Sequence, residues 1–331
     1  MYQPIKKIDA HVHLTSLLFA QDVFQPPENP LDGDCIKVCL RRMEEYHIDQ
    51  CVALFGQGID PPGGNEINIK MAEMLPEKIA GVMAGFEQPP EEPWNYNPQK
   101  AADQMERYMK HSVVKGMGEL AIAALGYMAE WPEVWSRLRP VFDVLAAHNA
   151  PCLFHTGPTP KFDTPLEKDA TGKIIRRRAR RETWFSDPLF IDDIAEEYPD
   201  IPLIIGHAGV QGYFYYGSYV DHALIVAARH KNVYIETSSV PYEVLVKCVE
   251  DPAIGPEKLI FGTDTPAFYG YYKSASTGEY YPSYGKTGPG EMMTDHYPVD
   301  LANIERLPIT DRQRQMIMGG TMAGIMSEKH E

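Results

Sequence analysis

Ile8-Asp-Ala-His-Val-His-Leu14 is a short apolar run that carries two imidazoles at its far end, and its plan recurs along the chain. The apolar runs are Ile5–Val12, Gln50–Phe55, Ile79–Phe86, Val113–Leu120, Ala150–Phe154, Pro202–Ile205, Asn232–Thr237 and Lys258–Phe261. Each is rich in Val, Ile, Leu or Phe and bounded by Gly, Pro or polar residues, as parallel strands covered by helices are. Between them lie amphipathic segments at Asp34–His47, Glu133–His148, Pro188–Tyr198, Tyr219–His230 and Tyr242–Val249. Strand–helix alternation through eight strands predicts a closed (β/α)8 TIM barrel of the α/β class, one domain spanning residues 1–331. An open doubly wound sheet is the competing fold, but it calls for a Gly-rich phosphate turn after an early strand, and none is present.

Three connections are long: Leu14–Gly33, Thr156–Ser186 and Pro266–Arg306 (residues 14–33, 156–186 and 266–306). All leave the C-terminal end of a strand, which in a barrel is the catalytic face. Thr310–Met326 reads as a closing helix with Thr310 as its N-cap. With 31 basic and 46 acidic residues the net charge is −15, so the surface repels nucleic acid and anionic membranes. No apolar stretch reaches the roughly eighteen residues that a membrane span needs. The N-terminus lacks the basic start and apolar core of a secretion signal. The five cysteines, Cys35, Cys39, Cys51, Cys152 and Cys248, match no zinc module and read as reduced, packed thiols of a cytoplasmic protein.

The residues that carry chemistry stand at strand ends. His11 and His13 are two apart on the first strand, so a regular strand points both the same way. His155 follows Cys-Leu-Phe, His207 follows Leu-Ile-Ile-Gly, and Asp264 follows Leu-Ile-Phe-Gly-Thr. A lone His at a strand end is usually a hydrogen-bonded polar residue. Four of them with an Asp, all at matching strand ends, point to a divalent ion above the barrel axis. Imidazoles with a carboxylate suit Zn2+ first, with Mn2+ or Fe2+ as alternatives. His47, His111, His148 and His230 instead fall at predicted helix C-termini, where the dipole favours a protonated ring, and read as structural. His222 reads as a helix residue, and His296 and His330 as loop residues.

This set resembles the amidohydrolase superfamily, and more narrowly its amidohydrolase-related branch, which includes aminocarboxymuconate-semialdehyde decarboxylase. The resemblance covers nearly the whole chain and includes Tyr198-Pro-Asp-Ile-Pro-Leu-Ile-Ile-Gly-His-Ala-Gly209, Asn232-Val-Tyr-Ile-Glu-Thr-Ser238 and Leu259-Ile-Phe-Gly-Thr-Asp-Thr-Pro266. It implies that His11, His13, His155 and Asp264 bind the metal and that His207 is a catalytic group beside it. The chain departs from the family's Gly-x-Asn-Ala stretch in its last helix, where it has Gly319-Gly-Thr-Met-Ala323. Glu119 ends the fourth strand, where binuclear relatives place a bridging Lys or Glu. It is either a ligand or a residue that orients a ligand His, and the second is the expectation, with one ion rather than two. Lys115, four residues earlier, is less well placed at the mouth.

The run Lys173-Ile-Ile-Arg-Arg-Arg-Ala-Arg-Arg181 holds six positive charges after the fifth strand. Arg177, Arg178 and Arg181 are candidates to hold an anionic substrate through guanidinium forks; a solvated helix face is the plainer alternative. The Tyr-rich run from Phe268 to Tyr284 is either an aromatic lid or a contact with another subunit, and a homodimer would cover the long loops. The expected activity is metal-assisted hydrolysis of a small, anionic or cyclic organic molecule, with Asp264 and His207 catalytic. The rival is non-oxidative decarboxylation of an aromatic or unsaturated carboxylate. A non-catalytic binding barrel would be expected to lose His207 and Asp264, which are both here.

Overall fold

The computed structural model describes residues 5–15, 29–56, 60, 62–88, 95–122, 131–157, 186–210, 219–265, 271–273, 280–282 and 296–327. Eight strands form one sheet in chain order: β1 (Ile8–Val12), β2 (Gln50–Leu54), β3 (Ile79–Ala84), β4 (Val114–Leu120), β5 (Cys152–Phe154), β6 (Leu203–Ile205), β7 (Val233–Glu236) and β8 (Leu259–Ile260). All neighbours are parallel. The sheet closes on itself: Val12 bridges Thr265, the Ala10 amide donates to the Phe261 carbonyl at 3.0 Å, and the His13 amide donates to the Thr265 carbonyl at 2.7 Å. This is the (β/α)8 barrel, and every strand falls inside an apolar run read from the sequence. The first begins at Ile8 rather than Ile5.

Helices follow the strands: α1 (Asp34–Glu45), α2 (Gly64–Met74), α3 (Pro98–Met109), α4 (Trp131–Ala147), α5 (Phe190–Glu197), α6 (Val220–Arg229), α7 (Tyr242–Glu250) and α8 (His296–Glu305). His296 therefore starts a helix rather than sitting in a loop. The closing segment is α9 (Asp311–Gln315), a π-turn (Met316–Gly320) and α10 (Thr321–Ser327), with Thr310 forming a capping box with Gln313. The π-turn wraps against β1, where a side chain at Gly319 would stand 2.0 Å from the Lys6 carbonyl oxygen, so only glycine fits. No helix among the described residues is long and apolar enough to cross a membrane. The Tyr-rich stretch contributes an antiparallel pair, β9 (Tyr271–Lys273) with β10 (Tyr280–Pro282).

Two apolar cores divide the work. The larger lies between the strands' outer faces and the helices, and includes Val12, Ala53, Val82, Met117, Phe154, Ile205, Ile235 and Phe261. The smaller fills the barrel: Ile8, Ala10, Val52, Leu54, Met83, Leu153, Ile204 and Ile260, with Met322, Ile325 and Met326 of α10. Burying each such side chain contributes about 1.5–3 kcal/mol. Strict alternation along β1 would set His11 and His13 on the face opposite Ala10. The β1–β2 register shifts between Asp9 and Val12. That bulge leaves Ile8 and Ala10 in the interior core and Val12 in the outer one, and brings His11 and His13 round to the interior above Ala10.

Candidate metal centre

The barrel floor is apolar and its mouth is ionisable. His11, His13, Glu119, His207, Glu236 and Asp264 are all buried, and the side chain of His155 keeps 14% exposure. The Nε2 atoms of His11 and His13 lie 3.2 Å apart, and Asp264 Oδ1 lies 3.1 Å from the second and 3.4 Å from the first. An ion bound at about 2.1 Å separates neighbouring ligands by about 3.0 Å at right angles and about 3.4 Å at tetrahedral angles. The triangle matches that spacing. Asp264 Oδ1 is buried and makes no well-formed hydrogen bond, only ion-pair contacts to the two imidazole nitrogens whose protons a cation would replace. The residues present therefore fit a divalent ion.

Glu119 stands at the centre of the mouth. Its Oε2 is 3.3 Å from His13 Nε2. Its Oε1 is 3.6 Å from His11 Nε2, 2.7 Å from His155 Nδ1 and 3.3 Å from His207 Nε2. One carboxylate thus faces all four imidazoles. The tight group is His11, His13, Glu119 and Asp264, while His155 and His207 form a second group with Glu119. Of the four ligands implied by the resemblance, three converge directly and His155 joins through Glu119. Lys115 is not at the mouth: its Nζ donates to the Ser112 carbonyl at 2.8 Å, at the strand's opposite end.

Charges at this density shift one another. Burial alone would lower the pKa of His11, but Asp264, Glu236 and Glu119 outweigh it and hold the ring protonated well above the usual imidazole range. His13 is likewise opposed by burial, yet Asp264 and Glu119 raise it to about 10. His207 is raised against burial by Glu119 and Asp264. Burial would raise Glu119, and the charges of His155 and His11 hold it well below the ordinary carboxylate range instead. Protons occupy the positions from which an ion would displace them.

The backbone is strained where these groups are presented. His207 has φ 62°, Ala208 φ 50° and Asp264 φ 56°, in the left-handed region that costs an L-residue about 1–2 kcal/mol. Such outliers gather at functional sites. Below the mouth, Asp9 accepts from the His11 amide at 3.2 Å and from the Thr263 amide and hydroxyl at 3.1 and 2.6 Å, which ties β1 to the segment after β8. Beside the mouth, Asp60 Oδ2 accepts from Thr15 Oγ1 at 2.9 Å and the Gly56 amide at 3.1 Å.

Two residues not singled out from the sequence lie against the histidines. Glu236, at the end of β7, lies 3.1 Å from His11 Nδ1, and Ser238 Oγ lies 2.8 Å from both Glu236 Oε2 and His207 Nδ1. An acid ending an apolar strand, in Val233-Tyr-Ile-Glu236, was the available sign. Three of the histidines read as structural pair with carboxylates away from the mouth: His148 Nε2 meets Glu106 at 2.8 Å, His230 Nε2 meets Asp192 at 2.6 Å and His222 Nδ1 meets Asp187 at 2.9 Å. Arg177, Arg178, Arg181 and His330 lie outside the described residues.

A metal-dependent enzyme built on a closed barrel is the class that this fold and site define. The sequence matches the amidohydrolase family model over residues 8–321, and the chain belongs to that family. No curated protein sequence matches it. Among solved structures it is similar to an uncharacterised TIM-barrel protein from Bordetella bronchiseptica (TM-score 0.64, 14% identity, 97% of this chain and 98% of that one). It is also similar to 5-carboxyvanillate decarboxylase from Sphingomonas paucimobilis (TM-score 0.57, 15% identity, 97% and 99%). A third is a dihydroxybenzoic acid decarboxylase from a Polaromonas species, solved with manganese and the inhibitor 2-nitroresorcinol (TM-score 0.55, 15% identity, 98% of each chain).

Proposed function

We propose that the protein is a metal-dependent hydrolase of a small organic molecule, anionic or cyclic, and that His11, His13, Asp264 and Glu119 hold one divalent ion, Zn2+ in the first instance. The observation that carries this is the triangle of His11 Nε2, His13 Nε2 and Asp264 Oδ1, with sides of 3.1–3.4 Å. His155 supports Glu119 from the other side through Nδ1. A bound divalent ion supplies Lewis acidity that brings a water's pKa from about 16 to about 7. Asp264 accepts the water's proton at Oδ2, the oxygen turned toward His207 Nε2 at 3.8 Å, and returns it to the leaving group. His207 orients the water and the substrate oxygen. Arg177, Arg178 and Arg181 would meet an anionic group on the substrate. The buried thiols Cys51, Cys152 and Cys248, which form no disulfide, fit a cytoplasmic setting.

Decarboxylation of an aromatic carboxylate is the second reading, favoured by the two named decarboxylases among the similar structures. The same residues would serve it, with the proton delivered to carbon as CO2 leaves. A panel of lactones, esters, amides and hydroxylated benzoates, run in 18O water with CO2 detection, separates the two. Label in the product with no CO2 is expected; CO2 released without label overturns hydrolysis in favour of decarboxylation. Elemental analysis is expected to give one ion per chain, and two would make Glu119 a bridge. Asp264→Asn is expected to lower turnover at least about 100-fold while the fold persists.

A further inference from the structure

We propose that Glu236 and Ser238 are positioning residues that fix which nitrogen of His11 and of His207 carries the proton, so that one buried carboxylate sets both a metal ligand and the imidazole that orients the water. This rests on the metal reading for its consequence, but not for its geometry.

The hydrogen count around these groups closes. Glu236 is fully buried and meets four donors. Oε1 accepts from the Ser238 amide at 2.6 Å. Oε2 accepts from Ser238 Oγ at 2.8 Å, the His207 amide at 3.2 Å and His11 Nδ1 at 3.1 Å. Three of these donors crowd Oε2 and one meets Oε1, so Oε2 has no lone-pair site left for an ion, although Glu236 lies close to His11 and His207. The Gly262 Cα backs onto Oε1, since a side chain there would stand 2.3 Å from it. Glu236 is therefore an acceptor of protons already placed, and His11 must carry its hydrogen on Nδ1. That leaves Nε2, which faces His13 Nε2, Asp264 and Glu119, as the nitrogen whose proton an ion would displace.

Ser238 has one hydroxyl hydrogen, and Glu236 takes it. Ser238 Oγ then accepts from His207 Nδ1 at 2.8 Å. A second acceptor near Nδ1 is the Ser238 carbonyl oxygen at 3.4 Å. Both neighbours require a hydrogen on Nδ1, so His207 presents Nε2 to the mouth, toward Glu119 Oε1 and Asp264 Oδ2. A positive charge on the His207 ring is stabilised by Glu236 through the Ser238 hydroxyl, the arrangement by which a carboxylate orients an imidazole.

The two residues should separate in experiment. Zinc affinity is measured by chelator competition, and the ring protons by long-range 1H–15N spectra of His-labelled protein, with His207→Gln identifying the His207 signals. Glu236→Gln should weaken zinc binding about 10–100-fold, because it loosens His11. Ser238→Ala should hold zinc within about 3-fold of wild type, yet shift the His207 Nδ1–H resonance upfield and speed its exchange with water; Ser238→Thr should restore both. Glu236→Asp guards against a fold defect in the Gln variant, and should show the same loss in weaker form. Wild type carrying the His207 proton on Nε2, or Glu236→Gln binding zinc as tightly as wild type, overturns the proposal. If wild type takes up no zinc, the metal reading fails, while the His207 tautomer in metal-free protein still decides this one.

Discussion

Replacing Glu119 with glutamine keeps the shape at the centre of the mouth and removes its charge. In metal-free protein that charge helps hold His13 protonated, at a pKa of about 10 against 6.5 for a free imidazole. At pH 7, three units below that value, the proton is worth about 4 kcal/mol at 1.36 kcal/mol per unit. Glu119 and Asp264 both raise it, and an even division would assign Glu119 about 2 kcal/mol. Unfolding entropy near 2.1 cal/mol/K per residue gives about 0.7 kcal/mol/K for 331 residues, so Glu119→Gln should melt about 3 °C lower. The sign has a pH course. His13 has a raised folded pKa, so its stabilisation is complete below pH 6.5 and fades as pH rises through about 10. The melting gap between wild type and variant should therefore be widest at about pH 6.5 and below, narrow as pH rises, and close above pH 10. Zinc at about 1,000 times its Kd should raise the wild type by about 4 kcal/mol, near 6 °C, and the variant by less. Calorimetric scans at several pH values, with chelator and with zinc, check all of this. Equal melting temperatures at pH 7 and equal zinc shifts would refute the reasoning.

Zinc binding near pH 7 should release at least about two protons per ion, because His11 and His13 both hold protons that the ion must displace; titration calorimetry in buffers of different ionisation enthalpy reads the number. Burial raises the Asp60 carboxyl to about 6 against the pull of His13, so its ionisation costs stability as pH climbs from about 4 to about 6. Asp60→Asn should then match wild type near pH 4 and exceed it by about 2–3 kcal/mol at pH 8, measured by denaturant titration. Gly262→Ala puts a methyl 2.3 Å from Glu236 Oε1 and 2.8 Å from His11 Cβ, and should cut zinc uptake by elemental analysis while far-UV circular dichroism stays unchanged.

How far the sequence could be read depends on what each residue advertises. All eight strands were legible because a buried parallel strand must be apolar on both faces. Helix α2 was not, since its inner face carries polar side chains: Asn65 bonds the Gly85 backbone both ways and Asn68 donates to the Leu54 carbonyl. Helix α3 carried readable marks, with Asn97 capping Lys100 and Pro98 at the first turn, but was not singled out. The strand-end His and Asp were legible as a group, because ligand-type residues rarely repeat at that position without a reason. Their arrangement was not. The β1 bulge that brings His11 and His13 inward breaks the period-two rule, and nothing in Asp-Ala-His marks it. That Glu119 rather than His155 stands closest to His11, His13 and Asp264 depends on depth along β4 and β5, which spacing does not encode. Glu236 and Ser238 sat inside a quoted run, but their role lies in contacts across the barrel.

Anomalous scattering at the zinc edge, from crystals grown with zinc, bears most directly on the centre. The account predicts one strong peak about 2.0–2.2 Å from His11 Nε2, from His13 Nε2 and from a carboxylate oxygen of Asp264. A fully zinc-equilibrated crystal with no peak there, or with zinc bound only elsewhere, would contradict it.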